Sequence, residues 1–277
     1  MSRPQYLNSA IESVRKQSFT DWELIIVHDG DDPRIAPVLH PWLEKDDRIR
    51  YFHRPIAGNI GSAMNYGIAQ SNGCYLAVLD DDDIWIHPDK LRMQVNLLDK
   101  NKALVAVGGG AVVVNECGQE KMRYLKPTDP SECARQALFA NPLIHSSILC
   151  RKTSAEAAGG YDSSLCQFAD WDFCLKLMRL GAVANIPEYF VTYRVWRGGS
   201  SSINACGNAR SAIAIINRHG SHFRGYLLAL AIGICHLIYA YLPRWIRGNS
   251  DQVLSRLKKR FFSTRSVNRP TTEHLRE

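Results

Sequence analysis

Short apolar runs alternate with segments of helical periodicity along the first hundred residues. The run WELIIV, residues 22–27, is too short for a helix and rich in branched side chains, which indicates a strand buried on both faces. Two further runs, RIRYF ending at Phe52 and YLAVL at residues 75–79, predict more strands. Around them, the pattern predicts helices within residues 3–19, 62–70 and 90–98, the first with Leu7, Ile11 and Val14 on one face. This alternation predicts an α/β fold with a mostly parallel central sheet flanked by helices.

Beyond Leu104 the apolar runs continue with less regular spacing. The segment ALVAVGGGAVVV, residues 103–114, predicts a strand, a glycine turn and a further strand. Its glycines do not form a dinucleotide-binding fingerprint, because such a fingerprint opens a helix and strand-like valines follow here. SSILCR, residues 146–151, predicts another strand. Residues 159–181 predict a loop that leads into a helix with Asp170 and Asp172 in its first turn.

The composition changes after residue 196, which divides the chain into residues 1–196 and a helical, basic C-terminal region, residues 197–277. Tyr226 to Leu242 is almost wholly apolar, but its 17 residues lie at the short limit of the roughly 17–25 that span a bilayer. Arginines and lysines follow it, as on the cytoplasmic side of a membrane anchor. We therefore expect peripheral attachment to the inner membrane face. The alternative is a helix buried against the rest of the protein or in a homo-oligomer.

Composition and charge narrow the class of protein. The 277 residues are 45% hydrophobic and 22% charged, which is typical of a globular protein. The net charge is +7, with much of the excess after Pro243, so that region would meet either nucleic acid or an anionic membrane. Because no zinc-ligand spacing or aromatic RNA-binding pattern accompanies it, we expect the membrane and no nucleic acid. Eight scattered cysteines without a C-x-x-C pair, and a polar stretch over residues 1–20, favour the cytoplasm over secretion.

Two acidic loops follow predicted strands. HDGDD, residues 28–32, follows WELIIV, and DDDD, residues 80–83, follows YLAVL. In a parallel sheet these loops lie at the same edge, where α/β proteins bind ligands. Clustered carboxylates there fit a hard divalent cation such as Mn²⁺ or Mg²⁺, which takes oxygen ligands. A calcium loop of the EF-hand type is excluded, because Trp85 occupies the position that requires glycine, and the remaining alternative is a solvated acidic turn before a helix.

Three blocks of this sequence resemble family 2 glycosyltransferases in order and spacing. They are RPQYLNSAIESVRKQSFTDWELIIVHDG, GNIGSAMNYGIAQSNGCYLAVLDDDDIW and GGYDSSLCQFADWDFCLKL, and the resemblance covers residues 3 to about 195. It implies the A-type glycosyltransferase fold, a nucleoside-diphosphate-sugar donor, a divalent cation and inversion at the anomeric carbon. Residues 1–196 would then be the nucleotide-sugar-binding catalytic domain. The acceptor would be a hydroxyl of a glycan or lipid-linked glycan in cell-surface polysaccharide synthesis.

The resemblance also implies roles for individual carboxylates. The aspartate-x-aspartate motif of the family falls on Asp80, Asp81 and Asp82, with Asp83 beside it. Asp80 and Asp81 would contact the donor, and Asp82 and Asp83 would hold the metal bound to its diphosphate. Asp170 would be the general base that takes the proton from the acceptor hydroxyl as it attacks.

Other positions match the family in part. Asp29 matches the residue that contacts the nucleotide base, and Asn59 matches a position that reaches toward the nucleotide in some members. Two positions depart from the pattern, since His28 replaces an aspartate and Ala169 replaces a glutamate. These departures keep open a second hypothesis, a non-catalytic relative that binds a nucleotide sugar or a partner enzyme.

Two further polar side chains have two interpretations each. Arg194 would either reach a donor phosphate or form a structural ion pair, and His145 would line the acceptor side or serve only the packing.

The family has one more strand directly before its first helix. This sequence starts at MSRPQYL, within the turn that follows that strand. Without the strand, WELIIV would have an open hydrogen-bonding edge. We therefore expect either that the reading frame begins further upstream or that this form is inactive.

Overall fold

The computed structural model describes residues 3–196 and 205–242, in which strands and helices alternate as the apolar runs predict. The α-helices are α1 (Pro4–Arg15), α2 (Ile35–Lys45), α3 (Ile60–Gln70), α4 (Lys90–Lys100), α5 (Pro130–Gln136), α6 (Lys152–Ala157), α7 (Ala169–Met178), α8 (Ala205–His219) and α9 (Tyr226–Tyr241). The strands are β1 (Leu24–Asp29), β2 (Ile49–Arg54), β3 (Tyr75–Ala77), β4 (Ile84–Trp85), β5 (Leu104–Val114), β6 (Glu120–Tyr124), β7 (Leu149–Arg151) and β8 (Ala182–Arg194).

The first helix confirms its predicted apolar face. Leu7, Ile11 and Val14 are all buried, and they recur at the spacing that places them on one side of α1. Leu7 and Ile11 pack with α2 and the β1–β2 pair, whereas Val14 packs in a second cluster that includes Trp85 of β4. The helix thus joins the two sheets of the molecule.

The strands form two sheets, and the α/β class is confirmed. In the smaller sheet, β1 and β2 run parallel. The larger sheet has the order β3-β7-β5-β8-β4, with β6 beside β5. It is mixed rather than mostly parallel, because β5 and β8 are its parallel pair while its other pairings are antiparallel. One cause is the tight turn at Gly118, where φ is +79°, which returns the chain from β5 directly into β6.

The prediction of a glycine turn within residues 103–114 is wrong. β5 runs without interruption through Gly108, Gly109 and Gly110, and every residue of the strand is buried. A Cβ at Gly109 would lie 2.2 Å from Cδ2 of Phe190 on β8, and one at Gly108 would lie 2.5 Å from Oδ1 of Asn185. The glycines therefore serve close packing inside a strand rather than a reversal of the chain.

The C-terminal helices α8 and α9 pack against α7 and the residues that follow α5. Ile215, Ile216 and Ala229 of α8 and α9 share a buried cluster with Leu138 and with Leu175 of α7. The apolar segment predicted over residues 226–242 forms the 16-residue helix α9. No helix within residues 3–196 and 205–242 combines the length and the apolar character needed to cross a bilayer. The predicted boundary after residue 196 precedes residues 197–204, which lie outside the described ranges, as does the basic stretch after Leu242.

The strands at the edges of both sheets have one unpaired side among the described residues. β1 pairs with β2 alone, and β3 pairs with β7 alone. The open edge expected for WELIIV is thus present in this part of the chain.

Candidate functional site

The four consecutive aspartates lie in the link between β3 and β4. A hydrogen bond of 3.1 Å from the Asp83 N–H to the Asp80 carbonyl closes this turn. Asp81 reaches solvent, Asp80 is half-buried, and Asp82 and Asp83 are buried. Asp80 and Asp83 share the hydroxyl of Ser146 as a partner, and the other contacts of the four carboxylates differ.

Asp80 pairs with His145, which the short 3₁₀ turn His145–Ser147 presents beside it. Nδ1 of His145 lies 3.2 Å from Oδ1 of Asp80. Burial alone would raise the pKa of Asp80, but the charge and the hydrogen bond of His145 outweigh it and lower that pKa. Burial alone would lower the pKa of His145, but the charge of Asp80, followed by those of Asp170 and Asp83, raises it to about 9. His145 therefore pairs with the aspartate turn and lies within electrostatic reach of Asp170.

Asp83 forms the buried floor of the turn. The backbone N–H of Arg194 donates to its Oδ1 at 3.1 Å, and the hydroxyl of Ser146 donates to its Oδ2. Burial and the nearby charge of Asp80 raise the pKa of Asp83 well above its ordinary value. Both of its oxygens are thus engaged by the protein.

Asp82 faces a basic and aromatic cover. The guanidinium of Arg3 contacts its Oδ2, and the indole Nε1 of Trp196 donates to the same oxygen at 2.6 Å. The Arg3 guanidinium also lies 4.2 Å from the centre of the Trp196 ring. A cationic group therefore already lies against Asp82.

The aspartate turn fits a divalent cation. Although the Asp81 side chain reaches solvent, the surrounding protein desolvates its carboxylate, and this burial together with the charges of Asp82 and Asp80 raises its pKa to about 6. A bound cation would relieve that repulsion. Across residues 3–196 and 205–242, no three acidic, histidine or cysteine side chains are grouped as a complete cage for a metal ion. Mg²⁺ needs no such cage, because it keeps several waters and binds through one or two carboxylates plus phosphate oxygens.

Asp170 stands in the first turn of α7, where the helix dipole favours a carboxylate. It is half-buried, and Nδ2 of Asn141 donates to its Oδ2 at 3.0 Å. The residue before the helix, Phe168, has a φ of +60°, the one positive value outside glycine in the described ranges. Its ring packs edge-on against Trp171, with ring centroids 6.1 Å apart. This packing holds a backbone conformation that non-glycine residues rarely adopt, directly beside Asp170.

The structure adds Tyr161 and Asn65, which the sequence did not single out. The hydroxyl of Tyr161 lies 3.0 Å from Nε2 of His145. The side-chain amide of Asn65 holds the backbone of Tyr161 from both sides, accepting from its N–H at 2.7 Å and donating to its carbonyl at 2.8 Å. A chain of hydrogen bonds thus runs from α3 through Tyr161 and His145 to Asp80. Its members are far apart in sequence, and no local motif marks them.

Tyr193 of β8 is a second residue that the sequence missed. Burial raises its pKa to about 12, together with the charges of Asp83, Asp80, Asp170 and Asp82. Tyr193 therefore lies within electrostatic reach of both the aspartate turn and Asp170.

Asp29 lies at the end of β1 in the smaller sheet, and Asn59 lies at the start of α3. Asp29 ends β1, where its Oδ2 accepts from the Gly58 N–H at 2.9 Å and its Oδ1 lies 3.2 Å from the Arg54 guanidinium. Asn59 is the N-cap of α3 and forms a capping box with Ser62. Its Nδ2 also donates to the carbonyl of Ser163, in the loop before α7.

The remaining sequence candidates have structural partners. Nδ1 of His28 lies 2.9 Å from the Tyr51 hydroxyl, and its Nε2 accepts from the Asp32 N–H at 3.3 Å. The Arg194 guanidinium donates to the carbonyls of Asn115 and Glu116, both at 3.1 Å. Arg194 therefore holds the turn that follows β5 through two backbone carbonyls.

Comparison with known families and relatives identifies a family for this chain. The model of glycosyl transferase family 2 matches residues 2–154. An uncharacterized glycosyltransferase of Rickettsia felis is 31% identical over 185 residues, covering 64% of this chain and 30% of the relative. The amylovoran biosynthesis glycosyltransferase AmsE of Erwinia amylovora is 26% identical over 206 residues, covering 73% of this chain and 74% of AmsE. Across three similar Rickettsia proteins, the chain spans 30%, 60% and 30% of the relative's length.

A solved structure shares the fold. The mannosyltransferase PcManGT from Pyrobaculum calidifontis, in complex with GDP-Man and Mn²⁺, aligns with a TM-score of 0.63 at 12% identity, covering 92% of this chain and 78% of that protein. At this identity the likeness concerns the fold alone. The A-type glycosyltransferase fold implied by the sequence is confirmed.

Proposed function

Because the chain belongs to glycosyl transferase family 2, we propose that it is an inverting, metal-dependent hexosyltransferase. It would move a sugar from a nucleoside-diphosphate-sugar donor to a hydroxyl of a glycan or lipid-linked acceptor. The observation that carries this proposal is His145, which pairs with Asp80 of the aspartate turn at 3.2 Å and lies within electrostatic reach of Asp170. Two sets of carboxylates with separate surroundings provide separate places for a diphosphate-bound metal and for an acid–base group.

The donor side of the site would be the aspartate turn. Asp82 and Asp83 would hold the metal: Asp82 would exchange its contact with the Arg3 guanidinium for the cation, and Asp83 would support it from the buried floor. Asp80 and Asp81 would contact the donor, and Asp29 and Asn59 would contribute from the end of β1 and the start of α3. When bound, Mn²⁺ or Mg²⁺ would supply positive charge to the diphosphate that leaves the sugar. PcManGT, whose solved complex holds GDP-Man and Mn²⁺, supports this ligand class.

Asp170 would act on the acceptor side. The acceptor hydroxyl must lose a proton as its oxygen attacks the anomeric carbon, and a carboxylate within hydrogen-bond reach can accept it. Asn141 orients the Asp170 carboxylate through its 3.0 Å hydrogen bond, and the packed Phe168 fixes the start of the helix that carries it. Attack from the face opposite the leaving group inverts the configuration at that carbon.

The acceptor and the cellular place belong to the same proposal. AmsE is named for amylovoran biosynthesis, which supports a role in polysaccharide synthesis. We expect the enzyme at the inner face of the cell membrane, where a lipid-linked acceptor would be reached. A homo-oligomer is compatible with this arrangement.

A single experiment separates the proposal from a non-catalytic relative. Purified protein is incubated with a panel of UDP, GDP and dTDP sugars, with Mn²⁺ or with chelator, and release of the nucleoside diphosphate is followed with and without membrane-extracted acceptors. Metal-dependent release from at least one donor is expected. Tight nucleotide binding without release from any donor would favour the binding protein.

A further inference from the structure

Helix α9 presents an apolar face to solvent along its whole length. Successive turns of this helix carry exposed side chains without a charged group among them. We call this set the α9 stripe: Leu227, Leu228, Ala231, Ile234, Cys235, Ile238 and Tyr241. Leu227 is 77% exposed, and Leu228 and Ile238 are each 60% exposed. An exposed apolar face of this length marks an interaction surface.

The opposite face of α9 is built for close packing. Its buried residues are Ala229, Gly233 and Ala240, all small. A Cβ at Gly233 would lie 3.0 Å from Cγ1 of Ile213 on α8, so the two helices approach closely there. Since Ala229 also joins the buried cluster around α7, α9 is fixed to the rest of the protein by one side and open on the other.

The charge distribution indicates what the α9 stripe meets. Between Glu188 and Asp251 the chain has no acidic residue and seven arginines. Residues 189–277 contain 14 lysines and arginines against three acidic residues, whereas residues 1–188 contain 20 against 24. The end of the chain that bears the stripe is therefore strongly cationic, and the rest is weakly acidic.

Two of these arginines lie at the ends of the α9 stripe. Arg224 is exposed two residues before α9 begins. Arg210 of α8 is exposed, and its guanidinium contacts the hydroxyl of Tyr241 at the far end. An apolar strip with cationic ends is the pattern of a helix that lies in the plane of an anionic membrane, its apolar side chains among the acyl chains and its arginines at the phosphates.

We infer that the α9 stripe is the surface by which this protein lies on an anionic lipid bilayer, parallel to the membrane plane. The inference rests on the proposed attachment to the inner membrane face and names the surface that makes it. At about 1.5 Å per residue, the 16 residues of α9 extend about 24 Å, enough to lie along the interface but short of the roughly 30 Å hydrocarbon core. A second copy of this chain is the less favoured occupant, because pairing through the stripe would bring two strongly cationic regions together.

The test uses the full chain and large unilamellar vesicles, without donor or acceptor. One set contains phosphatidylglycerol and phosphatidylcholine in equal parts, and the other contains phosphatidylcholine alone. The variant Leu227→Glu/Ile238→Glu places two charges on exposed positions of the stripe, so the fold is kept. The matched control Met122→Glu/Leu180→Glu makes the same change at two exposed apolar residues elsewhere, 46% and 48% exposed.

We expect the wild type and the control to float with the anionic vesicles and to bind neutral vesicles more weakly, by roughly tenfold or more. The stripe variant should lose roughly tenfold or more of its affinity for the anionic vesicles. Equal binding by the stripe variant would place the attachment elsewhere in the chain and overturn the inference. A wild type that binds no vesicles would remove the attachment itself. Sedimentation velocity without lipid gives a further test. If the wild type and the control are dimers and the stripe variant is a monomer, the stripe is a dimer interface and the inference is overturned. The transferase proposal is scored separately, by donor hydrolysis in the same preparations.

Discussion

Asp172 of α7 and His219 of α8 share a hydrogen bond of 2.9 Å in which both side chains are fully buried. The guanidinium of Arg218 donates to the same carboxylate oxygen at 2.9 Å, and Nζ of Lys176 lies 2.9 Å from the other oxygen. Asp172 follows the candidate base Asp170 by two residues, so it points away from the site. The network therefore fixes the helix that carries the candidate base to the C-terminal helices.

Asp172→Asn should lower the free energy of unfolding in a pH-dependent way. Burial alone would raise the pKa of Asp172, but the hydrogen bond from His219 and then Lys176 lower it to about 2. With an unfolded value near 3.8, this difference is worth about 2–3 kcal/mol. Because the folded pKa is the lower one, that stability is fully present above about pH 4 and is lost as the pH falls through 2. Urea unfolding of wild type and variant between pH 7 and pH 2.5 should show a gap that narrows toward acid.

Asp162→Asn is the matched control for this network. Asp162 is the other partner of Arg218, at 2.6 Å, but it lies nearer the surface. Its removal should cost about 1 kcal/mol or less, since partly exposed ion pairs are screened by solvent. Equal losses of unfolding free energy in the two variants would contradict the conclusion that the buried Asp172 contributes more than Asp162.

Asp170→Asn should keep donor binding and lose turnover. An amide cannot accept the proton of the acceptor hydroxyl, and removal of a general base typically costs about 10²–10⁴ in rate. Binding is measured by calorimetric titration with the nucleoside diphosphate, and turnover by release of that nucleotide. Asp47→Asn, at an exposed position, serves as the control and should retain wild-type turnover. Near-normal turnover in Asp170→Asn would remove this residue as the base.

Asp82→Asn should weaken nucleotide binding, and only when the metal is present. The reason is that the variant removes one oxygen ligand and one negative charge from the turn. Titrations with UDP, GDP and dTDP, each with Mn²⁺ and with chelator, measure it. The affinity of the wild type for its nucleotide should fall when chelator replaces Mn²⁺. In chelator, the variant and the wild type should bind the nucleotide with similar affinity. If the wild type binds its nucleotide equally well in chelator, the metal role of Asp82 and Asp83 is wrong.

Gly109→Ala should destabilise the fold strongly. The new Cβ would meet the Phe190 ring at 2.2 Å in the centre of the larger sheet, and overpacking of this kind typically costs about 1–3 kcal/mol or more. Gly67→Ala, in α3, is the control, because its Cβ would lie 3.5 Å from Cγ2 of Val27 in ordinary contact. That change should be neutral or stabilise by up to about 1 kcal/mol. Thermal unfolding of both variants distinguishes packing at the β5 glycines from a turn there.

The elements governed by local pattern were predictable from the sequence. Leu7, Ile11 and Val14 specify the buried face of α1, and the apolar run ending at Val27 specifies β1. The glycines of β5 led to the wrong prediction of a turn, because glycine favours turns when only its neighbours in sequence are considered. The actual constraint on Gly109 is the ring of Phe190 and that on Gly108 is the side chain of Asn185, both about eighty residues away, where no local pattern reaches.

The candidate site also combines residues that the sequence indicates with residues that only the fold brings together. The aspartate turn stands out in the sequence because four adjacent carboxylates at the end of a strand repel one another, and Asp170 stands out because its block resembles the family. Ser146, Tyr161 and Asn65 do not stand out, because each is an ordinary polar residue until the fold brings it to Asp80 or His145. Their contribution depends on contacts across 16 to 96 positions of the chain.

The two-stranded sheet has a kinetic consequence. A two-stranded sheet on its own is marginal, and among the described residues β1 is held by β2 and by the helices packed on it. The larger sheet, by contrast, surrounds the wholly buried β5. Amides of β1 should therefore exchange with solvent through local opening far more readily than those of β5. Asp29 ends β1 and Asp80 follows β3. A donor that contacts both would therefore connect the smaller sheet, which opens readily, to the larger sheet, which is protected from exchange. Its binding should appear in hydrogen exchange as slowed opening of β1 and little change in β5.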